Sequence, residues 1–176
     1  MTHFDVDAAL KTLVCCVDSR ERLATSSVHK RLSMIGLPLH REALSFGDYS
    51  CYCTVDGKVV SLKDKVAIER KMSLDELSGN LFQNRERFKR EFERAKKANA
   101  KIYLLIENGS MDKVMDGKYK TRVHPNSYLA SILAWLSRYN CQVIFCKPEH
   151  SGRLIGEILR REMKEYLMGL VDDGEK

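Results

Sequence analysis

Apolar residues along this chain alternate between short continuous runs and patterns with helical spacing. The short runs predict buried strands at residues 12–18, 65–71, 101–107 and 141–146. Apolar residues three and four positions apart predict helices at residues 21–36, 84–98, 126–138 and 151–168. Strands that alternate with helices indicate parallel pairing, so we expect parallel strands in the C-terminal half.

A hairpin is predicted in the middle of the chain, where residues 51–60 read CYCTVDGKVV. Asp56-Gly57 suits the positive φ angles of a type I′ turn. Ser73 followed by Glu76 fits a helix capping box, so a helix should begin directly after the strand at 65–71. Residues 108–124 predict a long polar loop that holds at most a helical turn. Together these patterns predict an α/β fold with a mixed central β-sheet flanked by helices.

The helical patterns also predict which side chains face the core. On the first helix these are Val28, Leu32 and Ile35, with Gly36 as its C-terminal cap. On the other three they are Phe88, Phe92, Ala95, Leu129, Ile132, Leu133, Leu136, Ile155, Leu159, Met163 and Tyr166. Trp135 should also lie in the core, since a lone tryptophan on a helix is no stacking platform.

Length and composition favour one ordinary domain spanning residues 1–176. Hydrophobic residues make up 44% and charged residues 31% of the chain. No apolar stretch reaches the roughly 20 residues that cross a bilayer, and the acidic start does not resemble a secretory signal, so we expect a cytoplasmic protein with no membrane partner. The net charge of +6, from 30 basic and 24 acidic residues, suits a polyanionic partner without requiring one.

The six cysteines lie in predicted strands and lack the spacing of a metal site. They occur as Cys15-Cys16, Cys51-x-Cys53, Cys141 and Cys146. Neither a C-x-x-C motif nor a Cys/His pair at zinc-finger spacing is present. We therefore expect reduced thiols packed in the core, and a cysteine-based metal or redox protein is disfavoured.

Three acidic residues stand at comparable places in the predicted sheet. Asp18 ends the first strand, Asp48 opens the hairpin, and Glu69 lies near the end of the strand at 65–71, two positions before Lys71. If these strands are neighbours, the carboxylates converge as a Mg²⁺ site requires, and the lysine can polarise an attacking water. The alternatives are a surface ion pair between Glu69 and Lys71 and a simple turn role for Asp48.

Several motifs in this order resemble the nuclease signature of the XPF family of structure-specific endonucleases. They are VDSRE (17–21), GDY (47–49), ERK (69–71) with Asp75, GNLFQNR (79–85) and LLIE (104–107). That family is a branch of the restriction-endonuclease-like PD-(D/E)xK superfamily. The resemblance extends from about residue 13 to about residue 165, and it implies a restriction-endonuclease-like fold.

Carried over position by position, the resemblance implies a complete catalytic site. Asp18, Asp48 and Glu69 would hold Mg²⁺, for which Mn²⁺ can substitute, and Lys71 would be the catalytic lysine. The supporting residues would be Arg70, Asp75, Arg20 and Glu21. For Arg20 and Glu21 the alternative is a place at the start of a helix, where an acid suits the helix dipole.

The resemblance implies DNA as the partner, with a role in repair or recombination. The candidate DNA-contacting residues are Gln83, Arg85, Arg87, Lys118 and Lys120. The alternative for the basic helix at 84–97 and for the loop at 113–122 is a solvated surface. Asn80 stands where the family usually has arginine, so a phosphate contact is expected to have shifted.

The expected activity is metal-dependent hydrolysis of phosphodiester bonds in flap, fork or junction DNA. The alternatives are a junction resolvase and a non-catalytic DNA-binding scaffold of the same fold. No paired helix-hairpin-helix segment follows the motifs, so we expect a stand-alone catalytic domain of the compact bacterial or viral kind. Such a domain can still form a homodimer.

Overall fold

Seven strands of the described residues form one mixed β-sheet in this computed structural model, which describes residues 5–21 and 26–174. The strands are β1 (Val14–Asp18), β2 (Leu39–Glu42), β3 (Tyr49–Val55), β4 (Lys58–Ser61), β5 (Val66–Lys71), β6 (Lys101–Glu107) and β7 (Cys141–Cys146). Their order is β2-β1-β3-β5-β6-β7, with β4 paired to β3. β5, β6 and β7 are parallel, whereas β3 runs antiparallel to β1, β4 and β5. The predicted α/β fold with a mixed sheet is confirmed.

Helices cover both faces of this sheet. They are α1 (Val6–Lys11), α2 (Ser26–Ser33), α3 (Leu74–Ser78), α4 (Arg85–Lys97), α5 (Met111–Met115), α6 (Pro125–Arg138) and α7 (Pro148–Gly174), and a π-helical turn (Gly79–Gln83) joins α3 to α4. One core lies between the sheet and α3, α4 and α6, and includes Phe92 and Trp135. A second core lies between the opposite face and α1, α2 and α7, and includes Leu159 and Met163. None of the described helices has the length and apolar character needed to cross a membrane.

Alternating side chains of β5 show how the sheet separates the two cores. Ala67 packs into the α4 side, whereas Val66 and Ile68 pack into the α7 side. Since successive strand residues point to opposite faces, Glu69 and Lys71 share the α4 side with Ala67. The strand therefore fixes which face carries the two polar residues.

The turn and capping signals predicted from sequence are confirmed. At the β3–β4 turn, Asp56 has φ 48° and Gly57 has φ 76°, as a type I′ turn requires. Ser73 caps α3 by accepting a hydrogen bond from the Glu76 N–H at 3.2 Å. The Glu76 carboxylate in turn accepts the Met72 N–H at 2.7 Å. These bonds start α3 directly after β5, which places the helix beside the end of that strand.

Some elements differ from the sequence predictions. Strand β2, with the sequence LHRE, was not predicted because its four residues contain no apolar run, and it lies at the edge of the sheet with largely exposed side chains. The polar loop at 108–124 contains the five-residue helix α5, in agreement with the helical turn expected there. Helix α2 begins at Ser26, and residues 22–25 of the helix predicted at 21–36 lie outside the described residues.

The predicted inner faces of the helices are largely confirmed. The exception is Leu133, which is 47% exposed, because Tyr128, Ile132 and Trp135 form the buried face of α6 instead. On α7, Tyr166 is half-buried and Leu167 takes the fully buried position. The six cysteines lie in β1, β3 and β7 as free thiols, as predicted.

Candidate active site

Asp18, Asp48 and Glu69 lie in one row across three neighbouring strands. Val17 of β1 pairs with Tyr49 of β3, and Tyr49 pairs with Ile68 of β5. One residue further along each strand, Asp18 is opposite Asp48 and Asp48 is opposite Glu69. Residues that oppose each other across antiparallel strands project from the same face. The structure therefore brings the three carboxylates together on the α4 side of the sheet.

These carboxylates line a cavity of about 290 Å³ between the sheet, α3, the π-helical turn and α4. The lining residues are Asp18, Arg20, Glu21, Gly47, Asp48, Glu69, Lys71, Glu76, Asn80, Asn84, Arg87, Phe88 and Glu91. Six of these side chains are acidic and three are basic, so the cavity has a surplus of negative charge although the whole chain is basic. Such a surplus attracts cations.

Asp18 is fixed by a two-point contact with Arg20. The Arg20 guanidinium donates to both carboxylate oxygens at 2.8 and 2.6 Å, and the Leu44 N–H donates to Oδ2 at 3.0 Å. Burial alone would raise the pKa of Asp18, but these hydrogen bonds outweigh it and hold the pKa below its usual value. Asp18 is therefore a charged, immobilised carboxylate at neutral pH.

Asp48 lies directly before β3 and is held against β5 by a backbone hydrogen bond. Its Oδ2 accepts the backbone N–H of Arg70 at 2.8 Å. Burial raises the pKa of Asp48 to about 7, although Lys71 and the Arg70 N–H act in the opposite direction. Asp48 is half-buried and lines the cavity, so a cation that enters the cavity can compensate its charge.

Glu69 and Lys71 form a buried ion pair, with 5% and 7% of each residue exposed. Burial and the charge of Asp48 raise the pKa of Glu69. Burial alone would lower the pKa of Lys71, but the carboxylates of Glu69 and Asp48 outweigh it and raise that pKa. The Lys71 ammonium also lies 5.0 Å from the ring centroid of Phe88. Lys71 is thus a protonated lysine held inside the cavity, and the alternative of a surface ion pair is wrong.

Arg70 directs its side chain to the opposite face of the sheet. Its guanidinium binds both oxygens of Glu107 at 2.8 and 2.6 Å. Nearby, Arg31 of α2 donates to the Tyr49 hydroxyl at 3.0 Å and to Glu21 at 2.5 Å. Arg70 therefore contributes its backbone N–H to the site, and its side chain anchors β5 to β6.

The other sequence-predicted residues are distributed around the cavity. Arg20, Glu21 and Arg87 line it. Asp75 accepts the backbone N–H groups of Lys120 and Thr121 at 2.7 and 3.0 Å, so it holds the loop after α5 against α3.

The remaining predicted DNA-contacting residues lie outside the cavity lining. Gln83 and Lys120 are exposed, and Lys118 pairs with Asp116 on the surface. Arg85 donates to the Leu81 carbonyl and lies over the Trp135 ring, which gives it a packing role.

One wall of the cavity, formed by α4 and the residues before it, was not predicted from the sequence. Phe88 and Glu91 of this helix and Asn84 directly before it line the cavity, together with Asn80 of the π-helical turn. Their spacing of four and three residues follows the inner face of α4, so helical periodicity was the signal available. The Asn80 Oδ1 is buried without a hydrogen-bond partner.

The carboxylate oxygens of Asp18, Asp48 and Glu69 are the type of ligand that a hard divalent cation prefers. Within residues 5–21 and 26–174, no three His, Cys, Asp or Glu side chains are grouped closely enough to hold one metal ion together. The three predicted ligands thus line one cavity without forming such a group. Mg²⁺ in proteins commonly takes one or two carboxylates and completes its shell with water and substrate phosphate. Asp48 and Glu69, which oppose each other across β3 and β5 and share the single ammonium of Lys71, fit that requirement.

The chain is similar to a known family and to a solved structure. Residues 17–158 match the ERCC4 domain family. The structure of XPF from Aeropyrum pernix superposes with a TM-score of 0.59 at 20% sequence identity, and the match covers 85% of this chain and 61% of that one. No curated protein matches the chain. The likeness to that structure shows a shared fold, and since the family match extends over most of the sequence, the chain belongs to the ERCC4 domain family.

Proposed function

We propose that this protein is a divalent-metal-dependent DNA endonuclease that hydrolyses phosphodiester bonds. The observation that carries the proposal is the row of Asp18, Asp48 and Glu69 in one cavity with a protonated Lys71. Membership of the ERCC4 domain family supports it. The same arrangement would have no evident use in a purely structural protein, because buried like charges destabilise the fold.

Asp48 and Glu69 would hold the cation, and the anchored carboxylate of Asp18 would add negative charge beside it. A bound Mg²⁺ supplies Lewis-acid stabilisation of the charge that develops on the phosphate. The backbone N–H of Arg70 keeps the Asp48 carboxylate in place for this role. Mn²⁺ has the same preference for oxygen ligands and is expected to substitute.

Lys71 would act as a positively charged group next to the reacting phosphate. Because its pKa is raised, it donates hydrogen bonds at neutral pH and cannot serve as a neutral base. It would orient the attacking water and stabilise negative charge on the phosphate oxygens. The ion pair with Glu69 and the ring of Phe88 hold its ammonium in position before substrate arrives.

DNA would reach the cavity along the basic residues that surround it. Arg87 lies in the cavity wall, and Lys118 and Lys120 lie on the loop that Asp75 ties to α3. These residues are suited to phosphate contacts, which position DNA without reading its sequence. The preferred substrates would be flap, fork or junction DNA, in keeping with the family to which the chain belongs.

A cleavage panel tests this function. Single-stranded, duplex, flap, fork and four-way DNA are incubated with the protein and Mg²⁺ or Mn²⁺, and products are separated on denaturing gels. We expect cutting that EDTA abolishes and that is strongest on branched substrates. Sedimentation of the same samples shows whether the active form is a homodimer.

Other results of the panel would identify the alternatives. Cutting restricted to four-way DNA would point to a junction resolvase. Binding to all substrates without cutting in either metal would contradict the proposal and favour a non-catalytic scaffold.

A further inference from the structure

The turn that carries Asp48 is sterically constrained on its inner side. Gly47 has φ +72°, and a Cβ on this residue would lie 2.7 Å from the Ala67 Cβ. Only glycine fits there, so the backbone of the turn passes directly over β5. Position 47 thus places Asp48 against Glu69, and any movement of Gly47 moves the Asp48 carboxylate with it.

Backbone hydrogen bonds fix the turn to β1 and β5 at Asp48. The Asp48 N–H donates to the Ile68 carbonyl and its own carbonyl accepts the Asp18 N–H, both at 2.8 Å. Before the turn, the Leu44 N–H donates to the Asp18 carboxylate at 3.0 Å. These bonds do not reach Ser45 and Gly47, which lie between the two fixed points.

Helix α4 supplies the contacts on the other side. The Glu91 carboxylate accepts the Gly47 N–H at 2.8 Å. One turn later on the helix, the Arg94 guanidinium donates to the Ser45 carbonyl at 2.7 Å. Two side chains of α4 therefore bind the turn immediately before the catalytic aspartate.

Glu91 also belongs to the cavity wall. Its carboxylate lies close enough to Asp48 and Glu69 to contribute to raising the pKa of both. A carboxylate in this place opposes the charge of the other two, so it is costly to the free protein. Its hydrogen bond to Gly47 supplies a structural reason for its presence.

We propose that Glu91 is a positioning residue that holds the Gly47–Asp48 turn and thereby sets the place of the Asp48 carboxylate. The proposal rests on the proposed nuclease function for its effect on catalysis. Its structural part, the restraint on Gly47, is independent of that function. Glu91 is not part of any motif that carried the family resemblance.

The test compares three variants of the full chain. Glu91→Ala removes the acceptor, Glu91→Gln keeps an acceptor oxygen without the charge, and Glu86→Ala removes an exposed acid from the same helix as a matched control. Amide hydrogen exchange of Gly47, followed by NMR, reports the restraint directly. We expect faster exchange of this amide in Glu91→Ala and wild-type exchange in the other two variants, because only the first loses the acceptor.

Kinetics on branched DNA with Mg²⁺ supply the second readout. We expect Glu91→Ala to lower kcat by about 10- to 100-fold at unchanged KM, since small misplacement of a catalytic group is costly. Glu91→Gln should recover most of the loss. Wild-type Gly47 exchange in Glu91→Ala, or a Gln variant as slow as the Ala variant, would overturn the proposal.

The two proposals fail in different ways. If wild type and Glu86→Ala cut no DNA, the nuclease function is wrong, and the Gly47 exchange rates still decide whether Glu91 restrains the turn. If both cut DNA and the Glu91→Ala exchange rate and kcat match wild type, only the role of Glu91 is wrong.

Discussion

At the scale of single residues, the site concentrates opposing charges in a place with little water. Asp48 and Glu69 are disfavoured as anions there, whereas Asp18 is compensated by Arg20. The sequence predicted these acids because they belong to short motifs. It could not predict Glu91, since the role of that residue depends on how α4 docks against the turn at Gly47.

Lys71→Ala is expected to abolish cutting while DNA binding is largely retained. The ammonium would stabilise charge only in the reaction, so its loss should lower kcat by roughly 100-fold or more. Single-turnover cleavage and fluorescence anisotropy measure the two effects. Lys58→Ala, on the exposed β3–β4 hairpin, is the matched control. Wild-type cleavage by Lys71→Ala would remove this lysine from the mechanism.

Asp48→Asn should make the protein more stable without metal. The substitution removes a buried charge whose pKa is raised to about 7, and a gain of about 1–2 kcal/mol is typical when such a site is relieved. The variant should also lose the rise in Tm that Mg²⁺ gives to wild type by binding the folded state. Thermal unfolding at pH 8 with Mg²⁺ and with EDTA tests both points; an equal Mg²⁺ response in the variant would exclude Asp48 as a ligand.

The Arg70–Glu107 pair should make stability depend on acid pH. Burial alone would raise the pKa of Glu107, but hydrogen bonds from Arg70 and Ser151 outweigh it and hold the pKa below the usual glutamate value of about 4.5. The stabilisation is therefore present above about pH 4.5 and is lost as pH falls through the lower folded pKa. Glu107→Ala should cost about 3 kcal/mol at pH 7, because it leaves a largely buried guanidinium without its carboxylate partner. Urea unfolding at several pH values should show the gap closing in acid; a constant gap would contradict this assignment.

At the scale of elements, apolar runs predicted the central strands and their helices well. The apolar positions that define these patterns are the side chains that pack into the two cores, as in β6 and α7. Strand β2 and the π-helical turn were not predictable in this way. The first is an exposed edge strand held by pairing with β1, and the second depends on packing between α3 and α4.

Helix α7 approaches α2 through two glycines one turn apart. A Cβ on Gly152 would lie 2.2 Å from the Arg31 carbonyl oxygen, and one on Gly156 would lie 2.0 Å from that of Ile35. Gly156→Ala must push the backbone at Ile35, just after α2, away from α7, and we expect a loss of about 1–3 kcal/mol. Gly169→Ala on the same helix meets no atom within 4 Å and should be neutral or stabilising. Urea unfolding of both variants checks this contrast, which equal stabilities would contradict.

At the scale of the whole molecule, a basic chain encloses an acidic cavity. The net charge of +6 suits the proposed DNA partner, and the surplus of acids in the cavity suits the proposed cation. DNA affinity should therefore fall as salt rises, through release of counterions.

Arg87→Ala should reduce the slope of log Kd against log salt by about one, whereas Lys58→Ala on the hairpin should not. A flat salt response in wild type would exclude phosphate contacts as the source of affinity.

The two-faced arrangement of β5 has a consequence for how this chain tolerates insertions. Glu69 and Lys71 face the cavity while Arg70, between them, is bound to Glu107 on the reverse side. A one-residue slip of β5 would exchange these faces, so that both ion pairs would break and Glu69 and Lys71 would be turned toward the core on the α7 side. Extra residues should therefore be accepted at the hairpin tip around Gly57, where added length leaves the pairing intact, and rejected between Leu62 and Val66, where they would shift β5.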